Sequence, residues 1–222
     1  MTLTSAVVRA REESDMNRDI QRYNANERTN HWAVAILFFL AGLSGLALFH
    51  PALFWLSNLF GGGPWTRILH PYLGVAMFVL FVVMAVRFAG SNRLKAHDRQ
   101  WLSQLRDVVN NRDENLPPVG KYNAGQKILF WVLIVTMALL LLSGIVMWRA
   151  YFNDFFSVDL IRAASLLHAF AGFVLVSSII VHIYAAIWIK GSVAAMLYGK
   201  VSRAWARKHH SLWYDEIRKK ER

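Results

Sequence analysis

The chain has no cysteine among its 222 residues. That excludes disulfides, thiolate zinc centres and cysteine-held iron-sulfur clusters from it, and also haem attached covalently through Cys-x-x-Cys-His. Acidic residues are scarce too: 14 Asp and Glu stand against 25 Lys and Arg, a formal net charge of +11. Only 18% of residues are charged while 55% are hydrophobic, which is too apolar for a disordered chain and points away from an ordinary soluble domain. A cleavable signal peptide is not expected, because residues 1–30 mix five basic with five acidic residues and contain no apolar core. What is plentiful is aromatic: nine Trp, 14 Phe and seven Tyr, the residues that gather at the two faces of a bilayer.

The missing charges are missing in blocks. Trp32 to Phe49, Ile68 to Val86, Ile128 to Trp148 and Ala163 to Ile189 contain no Asp, Glu, Lys or Arg. About 17 to 25 helical residues cross roughly 30 Å of hydrocarbon, so these blocks read as four transmembrane helices, the last long enough to tilt. Helix is the form that satisfies the backbone within each span. The expected fold is therefore an all-α membrane protein, a four-helix transmembrane bundle. Its expected parts are a polar arm over 1–30, the membrane domain over 31–189 with a loop over 87–127, and a basic tail over 190–222.

Charge sets the orientation. Lys plus Arg number 5 before the first span, 1, 8 and 2 in the three successive loops, and 9 after the last span, a split of 22 against 3. The positive-inside rule then expects both termini and loop 87–127 in the cytoplasm, with loops 50–67 and 149–162 outside. The basic tail, with Lys200, Arg203, Arg207 and Lys208, reads as a topology signal attracted to anionic headgroups. Nucleic acid is not an expected partner. Gly61, Gly62, Gly63 and Pro64 read as a turn, since no Lys-Ser/Thr follows to make a phosphate loop. Trp101 to Val109 reads as a short interfacial helix.

Ionisable residues inside a bilayer are costly and usually face a cavity, a partner or a cofactor. His31 opens the first span, His70 lies near the outer end of the second, and the fourth contains both His168 and His182. His168 and His182 are 14 residues apart, about 21 Å of rise and only ~40° short of whole turns, so both point to one face. Depth then pairs His70 with His168 near the outer side and His31 with His182 near the inner side. A planar cofactor held between helices needs one axial imidazole from each, so the set of four reads as the ligands of two stacked, non-covalent b-type haems. Taken singly, His31 could be an interfacial helix start and His70 the residue before a first-turn proline, Pro71. His50, His97, His209 and His210 are given no ligand role. Gly42, Gly45, Gly74, Gly144 and Gly172 could let a macrocycle approach the backbone, or simply pack helices. Arg67, Arg149 and Arg162 are candidates for propionate contacts or plain interfacial anchors.

Several phrases together resemble the cytochrome b, or gamma, subunit of membrane-bound respiratory formate dehydrogenase, from about His31 onward. They are His31-Trp32, Arg67-Ile68-Leu69-His70-Pro71, Val119-Gly120-Lys121-Tyr122-Asn123-Ala124-Gly125-Gln126-Lys127, Leu167-His168-Ala169, His182-Ile183-Tyr184 and Gly199-Lys200-Val201-Ser202-Arg203. The resemblance implies a heterotrimer in the bacterial inner membrane, capable of assembling further. A molybdenum or tungsten alpha subunit would oxidise formate there and an iron-sulfur beta subunit would carry the electrons. It implies that His31, His70, His168 and His182 hold the haem irons. It also implies that menaquinone or ubiquinone is reduced on the cytoplasmic side at Asn123, Gly125 and Gln126, with His182 nearby. The residues alone favour a plainer use of Asn123-Ala124-Gly125, a turn with Asn or Gly capping the third span. Two rival readings stand beside this one: the cytochrome b subunit of a membrane hydrogenase, and a transporter whose histidines carry protons or a transition metal. A purely structural anchor would leave the matched depths of the histidines without a reason.

Overall fold

Two asparagines start two of the long helices by the same device. Asn24 takes a hydrogen bond from the Glu27 amide at 2.8 Å and returns its own amide to the Glu27 carboxylate at 2.7 Å. Asn123 and Gln126 repeat the exchange at 2.9 and 3.0 Å. Each is a capping box that satisfies two orphan amides of a helix N-terminus. The computed structural model describes residues 16–110, 112, 116–152 and 154–222, so residues 1–15 of the expected polar arm lie outside the described residues.

In chain order the described elements are β1 (Asp19–Gln21), α1 (Ala25–Phe49), a 3-10 helix (Pro51–Phe60), α2 (Gly63–Ala89), a short 3-10 turn (Gly90–Asn92), α3 (Ala96–Ser103), α4 (Leu105–Val109), α5 (Ala124–Met147), α6 (Arg149–Phe152), α7 (Val158–Trp188), α8 (Ser192–Tyr198), β2 (Lys200–Ser202), α9 (Arg203–His209) and α10 (Ser211–Lys220). Four of the helices, α1, α2, α5 and α7, are long and apolar enough to cross a bilayer, with mean hydropathy of 2.2 to 2.7 over their best windows. Each contains one of the expected spans almost entire and extends it at one end or both, because capping and the first polar turn carry the helix past the apolar block.

The chain divides into two compact units. One is built from Thr29–Phe88 and Leu129–Tyr184, which is to say the apolar lengths of the four long helices. Its core is a plug of Ala41 from α1, Met77 and Phe81 from α2, Met137 from α5 and Leu175 from α7. Around that plug the surface is apolar, with Phe49, Leu166 and Phe173 exposed at 66%, 74% and 71%. A face so apolar is suited to acyl chains rather than water. The glycine run makes the tight turn its composition suggests: Gly61 and Gly62 take positive φ of 85° and 93°, and the Gly62 amide closes on the Ser57 carbonyl at 2.9 Å.

The other unit gathers the segment before Thr29, the segment Ala89–Ile128 and the segment Ala185–Arg222. The arm and the tail are paired here as an antiparallel ladder, β1 with β2, with Ile20 opposite Val201. Gly199 makes the pairing possible. Its carbonyl receives the Arg22 and Tyr23 amides at 2.8 and 3.1 Å, its φ is 82°, and a Cβ would lie 2.5 Å from the Tyr23 carbonyl oxygen. The described part of the arm and most of the tail are folded into short elements. The expected interfacial helix at Trp101–Val109 appears as α3 and α4, and Trp101 is buried at 7% exposure rather than turned outward.

Candidate functional site

Within the apolar unit the four span histidines stand as two facing pairs. His31 on α1 and His182 on α7 have ring centroids 6.2 Å apart at an interplanar angle of 48°. His70 on α2 and His168 on α7 are also 6.2 Å apart, at 76°. Leu175 of the apolar plug lies midway along α7 between His168 and His182, so the two pairs are separated by dry hydrocarbon side chains. Pro71 lies inside α2 rather than in its first turn, which removes the plainer reading of His70 and frees the Arg67 carbonyl from its helical partner.

The ring separation can be set beside what a metal held between two imidazoles requires. With metal–imidazole bonds of about 2.0 Å and a ring centroid roughly 1.1 Å further back, two axial imidazoles stand about 6.2 Å apart across one metal. Both pairs have that spacing. Tautomer supports the same fit at His70 and His168. The Ser44 hydroxyl lies 3.0 Å from the Ala41 carbonyl and 3.0 Å from His70 Nδ1. Ser143 lies 2.6 Å from the Leu139 carbonyl and 2.9 Å from His168 Nδ1. A hydroxyl has one proton and a carbonyl can only accept, so each serine donates to its own helix and accepts from the ring. Nδ1 then carries the imidazole proton and Nε2 is left with the lone pair a metal needs. At the other pair, His31 Nδ1 is buried without a hydrogen-bond partner. The residues present therefore fit a planar metal group gripped on both faces.

Two of the candidate glycines have a defined use. A Cβ on Gly45 would meet His70 Cε1 at 3.0 Å, and one on Gly144 would meet His168 Cε1 at 3.4 Å. At Gly42 and Gly74 a Cβ would meet nothing within 4 Å. Ser44 and Ser143 were missed from sequence, although Leu-Ser-Gly occurs at both 43–45 and 142–144 and was there to be seen. Arg67, Arg149 and Arg162 are exposed, and Arg162 is 3.5 Å from Asp159 one turn away. Among the described residues no cluster of three or more His, Asp or Glu could hold a metal ion.

The quinone candidates lie in the other unit. Asn123 and Gln126 are joined in the capping box that opens α5, which is the plainer use expected for this phrase. Gly125 packs on Trp101, whose Cη2 would be 3.3 Å from a Cβ there. Directly after them Lys127 forms a buried ion pair with Asp98 at 2.7 Å, both side chains only 3% exposed. Burial pushes the Asp98 carboxyl up, but hydrogen bonds from the Lys127 ammonium and the Lys95 amide outweigh it and hold the carboxyl below its ordinary range. In the same unit Arg22 is buried among Tyr23, Tyr122, Trp205 and Trp213, with its carbon 5.0 to 5.9 Å from their ring centroids. Its guanidinium donates to the Lys121 carbonyl at 2.8 Å and to His210 Nε2 at 3.1 Å, while His210 Nδ1 donates to the Gly120 carbonyl at 2.7 Å. Burial, then the Arg22 charge, lower the His210 pKa from 6.5 to about 3, so the ring is neutral at ordinary pH.

Known proteins are similar to this chain in sequence. The family described as prokaryotic cytochrome b561 matches residues 22–199. The cytochrome b556(Fdn) subunit of nitrate-inducible formate dehydrogenase from Escherichia coli (strain K12) is 45% identical over 195 residues, 88% of this chain and 90% of its own length. The formate dehydrogenase cytochrome b556(fdo) subunit of the same strain is 46% identical over 200 residues, 90% of this chain and 94% of its own. The formate dehydrogenase cytochrome b556 subunit of Haemophilus influenzae (strain ATCC 51907 / DSM 11121 / KW20 / Rd) is 39% identical over 197 residues, 89% and 83% of the two chains.

Proposed function

The chain belongs to the prokaryotic cytochrome b561 family, among relatives that are formate dehydrogenase cytochrome b556 subunits, and on that premise we propose that it is the dihaem membrane subunit of a respiratory formate dehydrogenase. It is an integral membrane protein with four span-length helices, and the family implies b-type haem. In the proposed complex a molybdenum or tungsten alpha subunit oxidises formate, and an iron-sulfur beta subunit delivers the electrons on the periplasmic side. This chain passes them inward to menaquinone or ubiquinone.

The observation that carries the reading is the pair of facing imidazoles, twice at 6.2 Å, on helices apolar enough to span a bilayer. When bound, two b-type haems supply one-electron carriage between the two ends of the helices. His70 and His168 present their lone pairs at one end, and His31 and His182 face each other at the other, about 21 Å away along α7. The apolar plug keeps water and ions from the space between them. Asn123, Gly125 and Gln126, at the start of α5, are the proposed quinone contacts. Quinone binding there uses the Gly125 amide and the side-chain N–H donors of Asn123 and Gln126, whose oxygens are already taken by the capping box.

The proposed topology has both termini and loop 87–127 in the cytoplasm of a bacterium, in its inner membrane, with residues 31–189 as the membrane domain. Two observations support it: the split of 22 basic residues against 3, and the joining of arm, loop and tail segments in one compact unit. Inward electron flow works against an inside-negative potential at about 2.3 kcal/mol per charge per 100 mV, which the redox drop from formate to quinone must exceed. The test is a dithionite-reduced minus oxidised spectrum of the purified complex with haem counted per chain. Two low-spin b-type haems, reduced by formate and reoxidised by quinone, are expected. A fully assembled preparation without haem would overturn the reading and return the histidines to proton or metal transport.

A further inference from the structure

The two Leu-Ser-Gly tripeptides, 43–45 on α1 and 142–144 on α5, occupy equivalent places beside His70 and His168. In each, the serine hydroxyl meets the ring Nδ1, at 3.0 and 2.9 Å, and the next residue is a glycine whose absent side chain leaves room for Cε1. Both serines are buried, at 0% and 3% exposure, and each is anchored to a carbonyl of its own helix. One helix of each sequential pair thus clamps the histidine of the next: α1 holds the ring on α2, and α5 holds the ring on α7. The His31 and His182 pair has no such clamp among the described residues, and His31 Nδ1 is left without a partner.

We propose that Leu43-Ser44-Gly45 and Leu142-Ser143-Gly144 are a matched pair of positioning clamps that fix tautomer and ring orientation at His70 and His168, and make this pair the more basic of the two ligand sets. The inference rests on the haem reading and goes beyond it. Each serine accepts the Nδ1 proton, so electron density is pushed toward Nε2; outer partners of this kind raise ligand basicity and hold the ring in place. A more basic axial set stabilises ferric over ferrous iron. The clamped site is therefore the one of lower midpoint potential relative to the same site without its serines.

The experiment is a redox titration and low-temperature EPR of the whole complex carrying Ser44→Ala with Ser143→Ala, beside Ser44→Thr with Ser143→Thr. The His168→Ala variant identifies which spectral component belongs to the clamped pair. In the alanine form that component is expected to move to higher potential with altered g-values, the other component staying where it was. A tenfold loss of ferric preference would be a rise of about 59 mV for a one-electron couple. The threonine form, which keeps both hydroxyls, is expected to restore the wild-type position. If the double alanine form does not assemble, each single alanine variant is read by the same two measurements. Unmoved components in an alanine form that retains both haems, equal shifts of both, or no rescue by threonine would each overturn the clamp. Wild-type complex without haem would instead overturn the functional reading beneath it.

Discussion

Four histidines are the proposed ligands, and what distinguishes them from His50 and His210 is the company each keeps. His50 caps a 3-10 helix by accepting the Ala52 amide at 3.2 Å, and His210 is locked between Arg22 and Gly120, so neither has a lone pair to spare. The span histidines keep theirs. Replacing His168 by Ala is therefore expected to remove the haem of the His70 pair and stop reduction by formate. His182→Ala is expected to remove the other haem and stop quinone reduction, each leaving one haem per chain by pyridine haemochrome assay. Two haems retained in either variant would refute the ligand assignment. The glycines give a graded test. Gly45→Ala would set a Cβ 3.0 Å from His70 Cε1, tighter than ordinary contact, whereas Gly144→Ala would sit at 3.4 Å, at its edge. Haem content measured on membranes is expected to fall in Gly45→Ala and to be largely kept in Gly144→Ala. The histidines were legible in the sequence because a costly residue inside an apolar block needs a reason. The serines were not, because a serine in a span is cheap and gains meaning only from what it faces.

At the scale of elements, the long helices announced themselves by uncharged length, while the short ones depended on contacts made by residues far apart in the chain. The ion pair between Asp98 on α3 and Lys127 on α5 joins two such pieces. Removing one partner of a buried pair leaves an uncompensated charge and costs about 3 to 5 kcal/mol. Lys127→Ala is thus expected to loosen α3 against the start of α5, read as faster amide exchange over residues 96–110, and Asp98→Asn with Lys127→Met to recover most of it. The arm and tail hang on His210 in a pH-dependent way. Its pKa is depressed to about 3 in the folded unit against 6.5 outside it, so below pH 6.5 the unfolded form takes the proton that the folded form refuses. Stability of that unit is expected to be full above pH 6.5 and to decline from there toward pH 3. Exchange at residues 199–214 followed between pH 7.5 and 5 reads it, and His210→Gln should flatten the dependence. No pH effect in the native chain would mean that the ring is not held neutral. The ladder of β1 with β2 could not be foreseen, since three residues on each side have no pattern of their own and the pairing relies on the left-handed turn at Gly199.

For the whole molecule, the charge asymmetry predicts what each end of the chain experiences. Fluorescent-protein fusions to either terminus are expected to be bright and alkaline phosphatase fusions inactive, with the reverse for fusions in loops 50–67 and 149–162. A bright fusion in either of those loops would contradict the topology. Composition and spacing by themselves determined the solvent of this protein, its four spans, and the histidines worth watching, because the cost of charge in hydrocarbon and the 3.6-residue turn are local rules that any reader of the chain can apply. The tertiary structure decided which imidazole faces which at 6.2 Å, which serine hydroxyl lies beside each Nδ1, and that Asn123 and Gln126 cap α5. Those are relations of a few ångströms between residues 25 or more apart or between side chain and amide, and only packing sets distances of that kind.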